Sequence, residues 1–389
     1  MVALQDMLNL IRSISKTRLR PADVDNILRL LKKDLPWQRL VRLAETEGLA
    51  GLLYHHLNNL DRQSHLPETA LQYLTANYNR TTRNTLAIVA KIAELAAKFK
   101  QARIPVIALQ GLSIVKLYQH PGLRGMEDAD LMVKPDHKEA LKELLIEAGY
   151  RPVPTYPDFL SKDGFLIDIH THLLNLDRIR NRRYVFPEDL SPMWDRAVSF
   201  FDQQEGLLRL EPHDNFVALC AHALKHSYSR LIWLVDLHES LILLTDKPDG
   251  WEKLFERARF WKQEKVVLYA LILIEKIINT NIPLQAKLEL GLQNLTVIEK
   301  HLLDLKIKGF SSSELCEVLW LCNIQGPANK LRFIKETIFP RQEIMLQISH
   351  GSSSKVAVSD YAKRTVDTIG LLGKNFFQLI SMGRIRGQG

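Results

Sequence analysis

Glu127-Asp128-Ala129-Asp130-Leu131-Met132-Val133 places two carboxylates at the head of a short apolar run. Such a run, bounded on its N-terminal side by the turn-forming His120 to Asp128 stretch with Pro121, Gly122 and Gly125, reads as a buried strand over Ala129 to Val133. Strand alternation then puts Asp128 and Asp130 on one face. Upstream, Ile104-Pro105-Val106-Ile107-Ala108-Leu109 is a second β-prone run, followed by Gly111 and a helical-looking Leu112 to Tyr118. Downstream, a helix is expected from about Asp136 to Ala148, closed by Gly149 at its C-terminal end. Gly164 to Leu174 alternates as a third strand, with Asp168 in its middle. Residues 104 to 175 form an α/β segment.

On both sides of it the apolar period is helical. Val24, Ile27, Leu28 and Leu31, then Ile88, Val89, Ile92, Leu95 and Phe99, recur at helical spacing within Leu4 to Lys100. Pro21 and Pro36 stand where helices begin, and Gly48 and Gly51 mark a bend. Beyond Pro212 the helical period returns and runs to about Gln378, with loops expected at Pro248 to Gly250, Gly326-Pro327 and Gly351 to Ser354, and a frayed basic tail over Gly383 to Gly389. The expected fold is α+β and predominantly helical, a small mixed sheet flanked by helices. Its expected divisions are an N-terminal helical region, 1–100, an α/β core, 101–211, and a C-terminal helical domain, 212–389.

Length and composition bound the function. With 389 residues, 46% apolar and 25% charged, the chain is neither a disulfide-stapled peptide nor a disordered one, and no fixed-period repeat is visible. Its three cysteines show no CxxC spacing, which excludes a structural zinc framework and suits a reducing cytoplasm. Met1 to Lys16 reads as an amphipathic helix rather than an export signal, and the apolar Val266 to Ile274 stops at Glu275-Lys276, too short for a membrane span. A cytoplasmic location is expected. Lys and Arg total 52 against 44 Asp and Glu, a net charge of +8, which suits polyanionic partners; the clearest basic run is Arg178, Arg180, Arg182 and Arg183, read as a solvated loop face before a nucleic-acid or triphosphate contact.

Two carboxylates side by side repel one another unless a cation holds them, and hard oxygen donors favour Mg²⁺, or Mn²⁺ in its place. With Asp168 from a neighbouring strand, Asp128 and Asp130 could form a two-metal clamp. The same spacing also occurs in solvated turns. Gln110-Gly111-Leu112-Ser113, at a strand-to-helix junction, is the second element: glycine admits a phosphate to the backbone, and the exposed amides and the Ser113 hydroxyl suit nucleotide phosphates.

The order of elements resembles the uncharacterised nucleotidyltransferases of the DNA polymerase β-like superfamily. The matching residues are Ala108 to Gly111, Leu117-Tyr118, Gly122 to Arg124, Glu127 to Val133, Ala148 to Tyr150 and Ile167 to His170, and, further on, Ala221-His222, His226, Leu231 to Trp233, Asp236 and Phe339-Pro340. The resemblance implies a minimal nucleotidyltransferase fold in which Asp128 and Asp130 hold both metals and Asp168 is the third ligand. It implies Mg²⁺-dependent transfer of an NMP from an NTP to a hydroxyl acceptor, whose identity the sequence does not name. Gln110 stands where the family usually carries Lys, so Arg124 or the Arg178 to Arg183 cluster would have to supply charge. His170 is expected to touch substrate or support the carboxylates.

Two other readings stay open. One is a catalytically inactive protein of this fold that holds a polyanion such as RNA. The other is a metal-dependent hydrolase centred on His170 and His172, although the chain lacks the repeated βα units of such barrels. His222 and His226, one helical turn apart without an adjacent Glu, and Trp233 are expected mainly to pack.

Overall fold

Proline and glycine set the helix boundaries in the N-terminal region of the computed structural model. Pro21 opens the helix Pro21–Leu31, where its missing amide costs nothing, and Pro36 precedes Trp37–Thr46. Gly48, at φ +75°, turns the chain into Ala50–Asn59. The long helix Glu68–Ala102 follows and stops at Arg103, which adopts the left-handed conformation. The structure describes residues 2–60, 66–154, 156–176, 179–201, 206–309 and 315–342, with short pieces at 344–345, 359–361 and 365–366. The expected loop at Gly351 to Ser354, the tail from Gly383 and most of the expected helix up to Gln378 lie outside them.

The sheet has seven strands: β1 (Val106–Ala108), β2 (Asp128–Val133), β3 (Arg151–Val153), β4 (Tyr156–Lys162), β5 (Phe165–His170), β6 (Val198–Ser199) and β7 (Leu208–Arg209). They run in the order β3-β4-β5-β2-β1-β7-β6, with β2/β5 and β1/β7 parallel and the other pairs antiparallel. The fold is therefore α+β and predominantly helical, as expected. The sheet is larger than the three strands read from the sequence. After Gly111 the helix is only Gln110–Ser113, followed by a 3₁₀ turn at Val115–Leu117, where one helix to Tyr118 was expected.

Strand alternation sorts the two faces. Val106, Ala108, Ala129, Leu131, Val133, Ile167 and Ile169 pack with Ile88, Ile92, Leu95 and Phe99 of Glu68–Ala102 in one apolar cluster. Each fully buried aliphatic side chain there contributes about 1.5–3 kcal/mol. The opposite face carries Ile107 and Met132 into a second cluster shared with the helices Pro212–Lys225, Leu231–Thr245 and Glu264–Ile278. Asp130, Asp168 and His170 alternate onto this second face, so the sheet's polar side chains look toward the C-terminal helices. Among the described residues no helix is long and apolar enough to cross a membrane.

Candidate active site

Parallel pairing of β2 with β5 sets Asp130 directly against Asp168 and Asp128 against Leu166. His170, two residues beyond Asp168 on the same face, brings Nε2 to 2.8 Å from Asp130 Oδ1 and 3.1 Å from Asp168 Oδ2. Its Nδ1 lies 2.6 Å from Asn175 Oδ1. With acceptors at both nitrogens the ring is an imidazolium: burial opposes the charge, but the two carboxylates outweigh it and push the pKa up to about 9.

Asp128 stands half-buried at the leading end of β2. Burial, followed by repulsion from Asp130, Asp168 and Glu127, pushes its carboxyl up to about 7, against a smaller pull from His170. Three carboxylates sharing one imidazolium leave surplus negative charge out of water. That donor set fits a hard divalent cation. Among the described residues, Asp130, Asp168 and His170 form a group whose ligand atoms all lie within 4.8 Å of one another. The protonated imidazole occupies the lone pairs a cation would need, so His170 and a metal compete for the same oxygens.

Gln110, Gly111 and Arg124 line the same cleft as Asp128 and Asp130. Gln110 follows β1 at φ +50°, and a Cβ built on Gly111 would lie 2.2 Å from Arg124 Nη1. The guanidinium therefore packs directly on the Gly111 backbone. Asp236 holds it there, with Nη2 to Oδ2 at 2.9 Å, while Tyr118 donates its hydroxyl to Asp236 Oδ1 at 2.5 Å. Asp236 raises the Arg124 pKa despite burial, so the charge is permanent.

Gln110, Gly111, Arg124, Asp128 and Asp130 line this cleft, of about 580 Å³, from the sheet side, whereas Asp168 and His170 are buried and do not line it. Ser113 does not line it; its Oγ lies 2.8 Å from the Gln110 carbonyl and 3.0 Å from Asn215 Oδ1. His172 lies beyond β5, with Nε2 donating to the Pro187 carbonyl and Nδ1 accepting from Leu174 N. It does not join His170, which removes the paired-histidine site. In the basic run, Arg182 donates to the Leu174 carbonyl and stacks over Trp320, while Arg178 lies outside the described residues.

A sequence model of the family described as uncharacterised nucleotidyltransferase matches residues 33–279. The chain belongs to that family. The matched span contains every residue that lines the cleft, from Glu45 to Trp233. No curated protein and no solved structure matches the chain.

The cleft of this family member has two walls that sequence reading missed. Asn77, Arg80, Thr81 and Asn84 line it from the helix Glu68–Ala102. They are spaced by three and four residues, so a polar stripe was present in the sequence, opposite the apolar one that was read. Arg80 pairs with Glu45 at 3.4 Å, and Arg230 lies 4.0 Å from Glu127. His222, His226 and Trp233 line the other wall, where packing was expected first and base stacking by Trp233 second. Glu211 positions the first helix of that wall by accepting from His213 N and Asp214 N at its start.

Proposed function

We propose that the chain transfers a nucleoside monophosphate from an NTP to a hydroxyl-bearing acceptor in a Mg²⁺-dependent, two-metal reaction. The observation that carries this reading is the registered Asp130–Asp168 pair, of which Asp130 lines, with Asp128, a cleft that also exposes Gln110 and Gly111. Asp128, Asp130 and Asp168 would hold the cations. The chemistry that divalent ions supply at such carboxylates is neutralisation of phosphate charge and acidification of the attacking hydroxyl.

The chain's own residues do the rest. Gly111 makes room for the Arg124 guanidinium, which supplies positive potential for the triphosphate at the turn that carries Gln110 in place of the family's usual Lys. Asp168 would help deprotonate the acceptor hydroxyl only through a cation it holds, the proton passing to water as the new O–P bond forms and the bond to pyrophosphate breaks. His170, bridging Asp130 and Asp168, fixes both carboxylates until a cation replaces its charge. Much of the rate enhancement in this scheme is positioning.

Because the arginines on the cleft wall stand next to Glu45 and Glu127, an uncharged acceptor is favoured over a polyanion. Isothermal titration of a non-hydrolysable ATP analogue, with and without Mg²⁺, into wild type and Asp128→Asn/Asp130→Asn tests the proposal. Mg²⁺-dependent binding that the double variant loses is the expected result. No binding to either protein would return the chain to a non-catalytic scaffold.

A further inference from the structure

Three rings meet on the cleft wall built by Pro212–Lys225 and Leu231–Thr245. His226 and Trp233 have centroids 5.0 Å apart with planes at 36°, His222 and His226 lie 4.7 Å apart, and His222 meets Trp233 edge-on at 5.5 Å. They are layered: His226 is exposed, Trp233 is half-buried, and His222 is only 9% exposed. All three line the cleft.

Folding alone does not account for this cluster. An exposed imidazole beside a tryptophan face, in an otherwise polar cleft, buries little by itself. His222 Nδ1 lies in the interior with no hydrogen-bond partner, an arrangement native proteins rarely tolerate without a use. Burial, together with the nearby His226, Lys225 and Arg124, keeps that ring neutral, so it adds no charge beside the stacking faces.

The geometry points to His222, His226 and Trp233 as the nucleobase subsite, with the base stacked on the open ring faces and its polar edge toward His222. This assignment rests on the NTP reading of the cleft. A nucleobase is a flat heteroaromatic that offers both a face and a hydrogen-bonding edge, and stacking tolerates any base. A polyhydroxyl acceptor calls for several amides and carboxylates, and those stand on the opposite wall, in Asn77, Asn84 and Glu45. Continuity supports the placement, since a small pocket bounded by Gln110, Gly111, Arg124, His222 and Trp233 joins the phosphate-facing turn to the rings.

Titration of the full chain with non-hydrolysable analogues of the four NTPs and, separately, with inorganic tripolyphosphate, all with Mg²⁺, tests the assignment. Wild type is expected to bind at least one analogue more tightly than tripolyphosphate. Trp233→Ala and His222→Ala should weaken that analogue by about 5- to 150-fold and leave tripolyphosphate affinity unchanged, whereas Trp233→Phe should keep most of the analogue affinity. Equal weakening of both probes, or analogue affinity untouched in Trp233→Ala, would overturn the subsite while leaving the transfer reading standing. If wild type binds neither probe, the transfer reading falls, and the four free nucleosides decide the subsite. Fluorescence quenching present in wild type and absent in Trp233→Phe would sustain it, and no quenching would overturn it.

Discussion

Arg124 and Asp236 form a buried ion pair that ties the segment before β2 to the helix Leu231–Thr245, with Nη2 and Oδ2 2.9 Å apart and the side chains 12% and 3% exposed. The pair fixes a guanidinium against Gly111, so one contact serves both folding and the charge of the cleft.

Removing one partner of a buried pair strands the other charge, at about 3–5 kcal/mol. Asp236→Asn is therefore expected to lower stability by that order in urea unfolding and to weaken triphosphate binding. Tyr118→Phe loses one hydrogen bond to a charged acceptor and should cost less, about 1.5–3 kcal/mol. The double variant Arg124→Met/Asp236→Leu should be more stable than Asp236→Asn, because no charge is left alone in the interior. An Asp236→Asn protein as stable as wild type would refute the account.

Gly51 and Gly122 allow two segments to cross at backbone contact. A Cβ on Gly51 would lie 2.0 Å from the Gly122 carbonyl oxygen, a rigid neighbour. Helix propensity favours alanine over glycine by up to about 1 kcal/mol in Ala50–Asn59, whereas forced separation of packed backbone costs about 1–3 kcal/mol. Clash wins. Gly51→Ala should be destabilised and should lose nucleotide affinity as the segment leading to Arg124 shifts. A gain in melting temperature would show that the crossing yields.

Asp128 makes the metal-free protein less stable than it could be. Its folded pKa of about 7 exceeds the usual 3.8, so the folded state binds more protons between those values. Stability then falls as pH rises through that window and stays lower above it. Asp128→Asn should stabilise the metal-free protein at pH 8 by on the order of 2 kcal/mol after solvent screening, seen as a higher melting temperature, with little effect below pH 4. Added Mg²⁺ should stabilise wild type by mass action and should stabilise the variant much less. Thermal melts at both pH values, with Mg²⁺ and with EDTA, check all of these outcomes.

The central strands were legible because β2 and β5 are apolar runs with clear turns before them, and their carboxylates fell on one face by simple alternation. The direct opposition of Asp130 and Asp168 was not legible, since it depends on a parallel register that no local pattern encodes. The β4–β5 hairpin had a signal that went unread: Asp163-Gly164 sits between two strand runs, and both residues take positive φ as a two-residue turn requires. Pro157 within β4 hid the strand. Strands as short as Val198–Ser199 and Leu208–Arg209 carry no period at all. The Asn77 to Asn84 stripe looked like a solvated helix face because a polar surface facing a cleft and one facing bulk water have the same sequence.

Two histidines outside the cleft lining should add to acid destabilisation, alongside His222 and His226, which burial also holds below the usual range. His56 Nε2 donates to the Lys16 carbonyl at 2.7 Å, and His238 Nδ1 lies 2.8 Å from Thr280 Oγ1. Burial lowers both to about 4, with His55 adding to it for His56, Lys16 and Arg20 adding to it for His238, and Asp23 opposing it at both. Unfolded, each imidazole takes up its proton near pH 6.5; folded, it does so only near pH 4. Between those values the unfolded chain binds more protons, so stability falls as pH drops through the window, by about 3 kcal/mol per histidine at most. Asp23, held down to about 2 by Arg20 and Lys16 against its burial, extends the loss below pH 3.8. His56→Gln/His238→Gln should start from lower stability at pH 8 yet lose less between pH 6.5 and pH 4, the remainder falling to His222 and His226. Urea midpoints across that range test this, and parallel acid profiles for variant and wild type would assign the loss elsewhere.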